Sequence, residues 1–305
     1  MRRVVITAIS LFSLAHAEED WSKKRVEQDY DRMFSGKPEI VSDGHQFAEG
    51  MAFDADGNFY FTDVPAGKLF KVDKDGKKTL FDDDTGKTNG IAMSPDGMLY
   101  GCAGGVMAIH RWDLKTGEKT VIAKGAFSND IAITKEGRIF FTDPKTSAVW
   151  AVSPAPEYKL TKAVQLEWKP NGIGLNHKKD ALLVAEFFSD TVHNFPIRED
   201  DSLGTPHEQY QFIVSHYENG KLMTEKGLLD GMVALPSGNL IIGTSRGIQL
   251  THPLPTDKEW CVVIPPFDER PRCNYVRISP DGKWLYAAFK DDIVRIPIKE
   301  DGYIK

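Results

Sequence analysis

The chain has 305 residues, a formal charge of −6, 41% hydrophobic and 27% charged residues. Such ordinary apolar content excludes wholesale disorder. An acidic balance with no basic run longer than Lys23-Lys24-Arg25 argues against nucleic acid as a partner, because phosphate binding needs a clustered basic surface.

The first 17 residues stand apart. Arg2 and Arg3 precede an apolar run over 4–14 broken only by Thr7, Ser10 and Ser13, and Ala15-His16-Ala17 has the small-x-small form of a cleavage site. The order predicts a signal peptide over 1–17 and export to the periplasm or beyond the cell; the competing reading is a buried first element. Past it, no apolar stretch approaches the roughly 20 residues that span a bilayer. A helical turn or two fits 21–33, within an N-terminal extension over 18–37. Three cysteines, Cys102, Cys261 and Cys273, show no zinc spacing. Pairing of Cys261 with Cys273 and three buried thiols are both open.

From residue 49 onward a repeat is visible. An oxygen-bearing marker is followed seven positions later by a turn, usually X-Gly: Glu49 leads to Asp56-Gly57, Asn89 to Asp96-Gly97, Asn129 to Glu136-Gly137, Asn171 to Asn176-His177, Asp230 to Ser237-Gly238 and Asn274 to Asp281-Gly282. The markers lie 40, 40, 42, 59 and 44 residues apart. Positions two and four after each marker are Met51/Phe53, Ile91/Met93, Ile131/Ile133, Ile173/Leu175, Met232/Ala234 and Val276/Ile278. Period-two alternation followed by a turn predicts a strand and a hairpin. Second strands fit 58–62, 98–100, 138–142, 181–184, 239–243 and 283–287; third strands fit 68–72, 108–112, 148–152, 191–195, 248–250 and 293–297.

Sets of three or four strands at this period predict an all-β fold, a six-bladed β-propeller of four-stranded blades over 38–300, with a short tail over 301–305. Residues 38–42 are expected to close the last blade as its outer strand, leaving no open seam. The long interval holds a polar insertion, about 198–226, carrying His207, His216, Tyr217 and an outer strand near 209–214.

First strands line a propeller's channel, so the six markers are expected on one ring: Glu49, Asn89, Asn129, Asn171, Asp230 and Asn274. Each alone reads as a turn former. Together they make a hard, oxygen-only surround that suits Ca²⁺ better than Zn²⁺. Without a cation, Glu49 and Asp230 repel and one carboxyl is raised. Asn89 and Asn274 are the members that could simply line the channel.

Phe47-Ala48-Glu49-Gly50, Thr88-Asn89-Gly90-Ile91, Ser128-Asn129-Asp130-Ile131, Phe141-Thr142-Asp143-Pro144, Lys169-Pro170-Asn171-Gly172 and Leu229-Asp230-Gly231-Met232, in this order, resemble the gluconolactonase / senescence marker protein (regucalcin) family of six-bladed propellers. The resemblance implies one divalent cation, commonly Ca²⁺ with Mg²⁺, Mn²⁺ or Zn²⁺ as alternatives, at the top of the channel on Glu49, Asn129, Asn171 and Asp230. It implies hydrolysis of a small lactone or ester, with Asp230 as general base and Asn89, Asn129 and Asn274 around the substrate. Two departures leave the substrate open: Gly101-Cys102-Ala103-Gly104-Gly105 replaces a Cys-Glu-His-Gly run, and Asn274-Tyr275-Val276-Arg277 replaces Asn-x-x-Phe-Gly-Gly. Rival readings are phosphotriester or aryl-ester hydrolysis at the same metal, and a non-catalytic exported binding propeller. Asp63 and Asp143 read as strand-end hydrogen-bond acceptors rather than outer members of the site. His45, His110 and His193 read as isolated, and Arg111 and Arg246 as candidates for an acidic substrate group.

Overall fold

The computed structural model describes residues 30–200, 202–212, 215–218, 221–251, 261–264 and 272–300. Six four-stranded antiparallel sheets follow one another around a central channel. The inner strands are Ala48–Phe53, Thr88–Met93, Ile131–Ile133, Pro170–Leu175, Met232–Ala234 and Tyr275–Ile278. Each turns back through its hairpin into a second strand. Five hairpins place their glycine at positive φ, as at Gly57 (φ 82°) and Gly137 (φ 84°); in the fourth blade Lys179 takes that place at φ 60°. Glycine enters this region without the steric cost a side chain meets there.

Period two has a direct packing meaning. The residues two and four after each marker pack against the preceding blade. Ile91 and Met93 meet Tyr60 and Leu69. Ile131 and Ile133 meet Tyr100, Cys102 and Ile109. Ile173 and Leu175 meet Phe140 and Val149. Met51 and Phe53 meet Tyr286 and Ile293 of the last blade, closing the ring. The core is therefore a circle of inter-blade layers. The intervening small residues turn toward the following blade, Ala52 meeting Ile91, Ala92 meeting Ile131 and Ala132 meeting Ile173, and Ala52, Ala92, Ala132, Gly174 and Val233 line the far end of the channel together with Arg277.

The last blade is closed by the N-terminal strand Glu39–Ser42, which pairs antiparallel with Asp292–Pro297. Residues 30–33 form a helical turn, and Met33 and Phe34 bury against Ile248, Leu250 and Ile296. Ser35 N donates to Pro297 O and Lys299 N to Met33 O, extending the seam. The insertion of the fourth blade supplies the expected outer strand, His207–Gln211, and a separate hairpin, Ser215–Glu218 with Lys221–Thr224, that the sequence pattern does not reveal. Cys102 and Cys273 are free, buried thiols, so the open alternative for Cys273 resolves to burial. Residues 1–29 and 301–305, with the signal peptide and tail expected there, lie outside the described residues. Among the described residues no helix is long and apolar enough to cross a membrane.

Candidate functional site

The six markers enter the channel at one end, and in the first, second and fourth blades the inner strand is irregular there. Ala48 pairs with Asp63 and Met51 with Phe61, so Glu49 and Gly50 together oppose the single residue Thr62. Asn89-Gly90 and Asn171-Gly172 sit in the same kind of bulge. A bulge re-aims side chains that regular pleating would send elsewhere. Thr62 Oγ1, opposite the first bulge, donates to Asn89 O at 2.9 Å, and Thr142 Oγ1 donates to Asn171 O at 2.7 Å.

Bonds between neighbouring inner strands complete the ring. Gly90 N donates to Asn129 O and Gly231 N to Asn274 O. Asn171 Nδ2 donates to Leu229 O at 3.3 Å, and Asn274 Nδ2 to Ala48 O at 3.4 Å. The glycines after the markers permit this approach. A Cβ on Gly172 would sit 1.9 Å from Asp230 O, and one on Gly50 2.2 Å from Asn89 O. All six sequence-expected residues therefore share one end of the channel.

Glu49 and Asp230 are 5% and 2% exposed. Burial pushes the Glu49 carboxyl well above the usual carboxylate range, and the charges of Asp230 and Asp130 push it further. Burial likewise raises Asp230 to about 7, against the opposing pull of Arg272 and with a further push from Asp130. Arg272 Nη2 lies 3.3 Å from Asp230 Oδ2, and its guanidinium lies over the Phe47 ring at 5.9 Å. The Oδ1 atoms of Asn89, Asn129 and Asn274 are buried without a hydrogen-bond partner. Two buried carboxylates beside three unsatisfied amide oxygens form an acceptor-rich pocket short of positive charge. That donor set fits a hard, oxygen-binding cation. Among the described residues no group of three His, Cys, Asp or Glu side chains is placed to hold a metal; the set here mixes carboxylates with amides.

The residue after each marker forms a second tier: Gly50, Gly90, Asp130, Gly172, Gly231 and Tyr275. Tyr275 Oη, from the sixth blade, donates to Asp130 Oδ1 of the third blade at 2.9 Å. Gly90 and Gly231 leave space for this crossing; a Cβ on Gly90 would sit 2.1 Å from Asp130 Oδ1, and one on Gly231 would meet the Tyr275 ring at 2.2 Å. Asp130 also accepts from Ile131 N and Ile173 N, and Arg277 Nη2 donates to Tyr275 Oη at 3.2 Å. Tyr275 and Asp130 thus bridge the channel beneath the ring. Sequence reasoning missed them as site residues, and missed Arg272. The usable signal was a column of glycines interrupted twice, by one acid and one aromatic.

Other candidates are committed elsewhere. Asp63 accepts from Gln46 N and Phe47 N, holding the segment that leads to Glu49. Asp143 accepts from Lys145 N, Thr146 and Trp150 Nε1. Both are the strand-end acceptors expected. His45 bonds Ser42 and His193 stacks on Trp168, while burial depresses His45 and His110. Arg111 donates to Tyr158 Oη at 3.3 Å, and Arg246 sits in the turn between Leu240–Thr244 and Gly247–Thr251, its backbone N donating to Thr244 Oγ1.

Residues 47–273 match the family model described as SMP-30/Gluconolactonase/LRE-like region. A gluconolactonase of Zymomonas mobilis subsp. mobilis is 26% identical over 303 residues, covering 87% of this chain and 82% of that protein. A gluconolactonase structure from Xanthomonas campestris superposes with a TM-score of 0.72 at 19% identity, covering 88% of this chain and 92% of that one. A structure described as a calcium-binding protein, regucalcin, from Agrobacterium tumefaciens gives 0.66 at 15% identity, with coverage of 89% and 96%. With its six blades and a family match over most of its length, the chain belongs to the SMP-30/gluconolactonase/LRE-like family.

Proposed function

We propose that this protein is a Ca²⁺-dependent lactonase that opens a sugar lactone at the marker end of the channel. The observation that carries the reading is the set of three partnerless amide oxygens, on Asn89, Asn129 and Asn274, beside the buried carboxyls of Glu49 and Asp230. Kinship with a gluconolactonase supports the reaction class. Glu49, Asn129, Asn171 and Asp230 would hold the cation. When bound, the cation supplies Lewis-acid polarisation of the ring carbonyl.

The chain's own residues do the rest. Asp230 accepts a proton from a water whose oxygen attacks the carbonyl carbon. The acyl C–O bond then breaks, and the ring oxygen leaves as a hydroxyl on taking up a proton. Asn89, Asn129 and Asn274 orient substrate hydroxyls at the rim. Tyr275 and Asp130 close the channel below, so substrate enters and product leaves by the same mouth. We further propose export directed by residues 1–17.

The test is acid release from a panel of aldonolactones, read with a pH indicator, with Ca²⁺ and with chelator, alongside a Ca²⁺-dependent thermal shift. Glu49→Gln and Asp230→Asn are expected to abolish both the calcium response and turnover. Turnover untouched by chelation and by both substitutions would refute the assignment. Turnover only on aryl esters or phosphotriesters would move the substrate class, and a calcium thermal shift without any turnover would make the cation structural.

A further inference from the structure

The end of the channel opposite the markers opens into a cavity of about 400 Å³. That lies within the usual range for small-ligand pockets, roughly 300–1,000 Å³. Its walls are the small residues of the inner strands, Ala52, Ala92, Ala132, Gly174 and Val233, with Phe53, Met93 and Ile133 at the strand ends. The sixth blade alone breaks this tier of small residues, with Arg277. Five short residues leave the axial space open, and the sixth position brings a guanidinium to its wall.

The charge of this cavity differs from that of the whole chain. The protein carries a formal charge of −6. Yet no aspartate or glutamate is among the described residues lining the cavity, whereas Arg277, Lys179 and His177 all line it. Arg277 Nε donates to Met51 O at 3.1 Å and Nη2 to Tyr275 Oη at 3.2 Å. Its guanidinium packs on the Tyr275 ring at 5.3 Å. These bonds fix the plane of the group and use two of its three nitrogens. A preset guanidinium offers a carboxylate or sulfonate paired donors at little ordering cost. Phe53, Met93 and Ile133 give a flat or aliphatic body one apolar surface to lie on, opposite the polar part of the wall that carries Arg277, Lys179 and His177.

We infer that this far-end cavity is a second ligand site, separate from the lactone site and closed off from it by Tyr275 and Asp130, that binds a small amphipathic anion: an aromatic or aliphatic carboxylate whose charged group meets Arg277 and whose body lies against the small-residue tier. It stands whether or not the marker end hydrolyses lactones.

The probe is 2-naphthoate, titrated against the full chain by its intrinsic fluorescence, with neutral 2-acetylnaphthalene as the uncharged counterpart. One saturable site is expected, unaffected by chelator and by Glu49→Gln, with the neutral compound at least about tenfold weaker. Arg277→Met should remove the preference for the anion. Ala92→Glu, which adds a carboxylate to the wall that opposes a bound anion and competes with it for Arg277, should abolish naphthoate binding. The inference fails if naphthoate binds no better than its neutral counterpart, if it is displaced by Glu49→Gln, or if both cavity substitutions leave its affinity unchanged. The first two readings need only proteins in which the cavity itself is intact, so a variant that does not fold still leaves a decision.

Discussion

Arg272 Nη2 reaches to 3.3 Å from Asp230 Oδ2 at the mouth of the channel, joining a side chain that is 37% exposed to one that is 3% exposed. The guanidinium supplies part of the positive charge that the pocket otherwise lacks, and it competes with any cation for Asp230. Arg272→Ala is therefore expected to tighten Ca²⁺ binding. Because the arginine is partly solvated, the gain is modest, about two- to fivefold by calorimetric titration. Weaker binding in the variant would show that Arg272 organises the ring instead of competing with it.

The raised carboxyls give the stability a definite pH dependence. Asp230 moves from its ordinary 3.8 to about 7, with burial the main cause. A carboxyl raised on folding binds its proton more tightly in the native state. Between about pH 4 and pH 7 the native protein then holds more protons than the unfolded chain, so stability falls as pH rises through this window. Melting curves in chelator should show that decline. Ca²⁺ should reverse it, with the largest shift at the alkaline end, where the ligands are ionised without proton release.

Gly172→Ala tests the close approach of the fourth and fifth inner strands. The added methyl would sit 1.9 Å from Asp230 O, backbone that has no rotamer by which to withdraw. A loss of at least about 1–3 kcal/mol in denaturant unfolding is expected, as for overpacked cores, together with weakened Ca²⁺ binding because Asp230 itself must shift. A variant with wild-type stability and affinity would mean that the strands are less tightly coupled than their geometry indicates.

Tyr275→Phe removes the donor that Asp130 receives across the channel and keeps the ring. Asp130 would retain Ile131 N and Ile173 N, so the fold should survive. An expected cost of about 1–3 kcal/mol reflects a buried carboxyl group left one bond short. Urea titration measures it, and Asp130→Asn should be non-additive with Tyr275→Phe because the two residues share the bond.

Phe34→Ala addresses the seam. Phe34 is 3% exposed and lies in the cluster that joins the fifth and sixth blades. Truncation of a buried phenylalanine costs about 3–5 kcal/mol. Unfolding monitored in denaturant should show a loss of that size, although the residue is far from the markers in sequence.

Much of this molecule was legible before any coordinates. Pairs such as Ile91/Met93 and Ile173/Leu175 declare their strands because one face of each inner strand must be apolar to meet the preceding blade. Markers such as Glu49 and Asp230 declare the ring because repetition forces equivalent positions to one axis. The bond between Tyr275 and Asp130 was not legible, for two reasons. It joins residues 145 apart in sequence, and its two ends are the single exceptions, on the third and sixth blades, in a column of glycines that otherwise repeats from blade to blade. The hairpin over Ser215–Glu218 and Lys221–Thr224 was hidden in a polar stretch whose side chains carry no alternation.

The pairing of Glu39–Ser42 with Asp292–Pro297 has a mechanical consequence. Glu39 faces Arg295 and Ser42 faces Ile293, while Met33 and Phe34 bond and bridge to Lys299 and Ile298 beyond them. The described segments that lead into Glu39–Ser42 and out of Asp292–Pro297 thus lie at the same end of the sixth blade. Tension applied between them loads these bonds one after another, as in a zipper, and never all at once in shear. A pull across this seam is expected to part Glu39–Ser42 from the sixth-blade strand carrying Arg295 before it loads the inner strands that bear Asn89, Asn129 and Asn171.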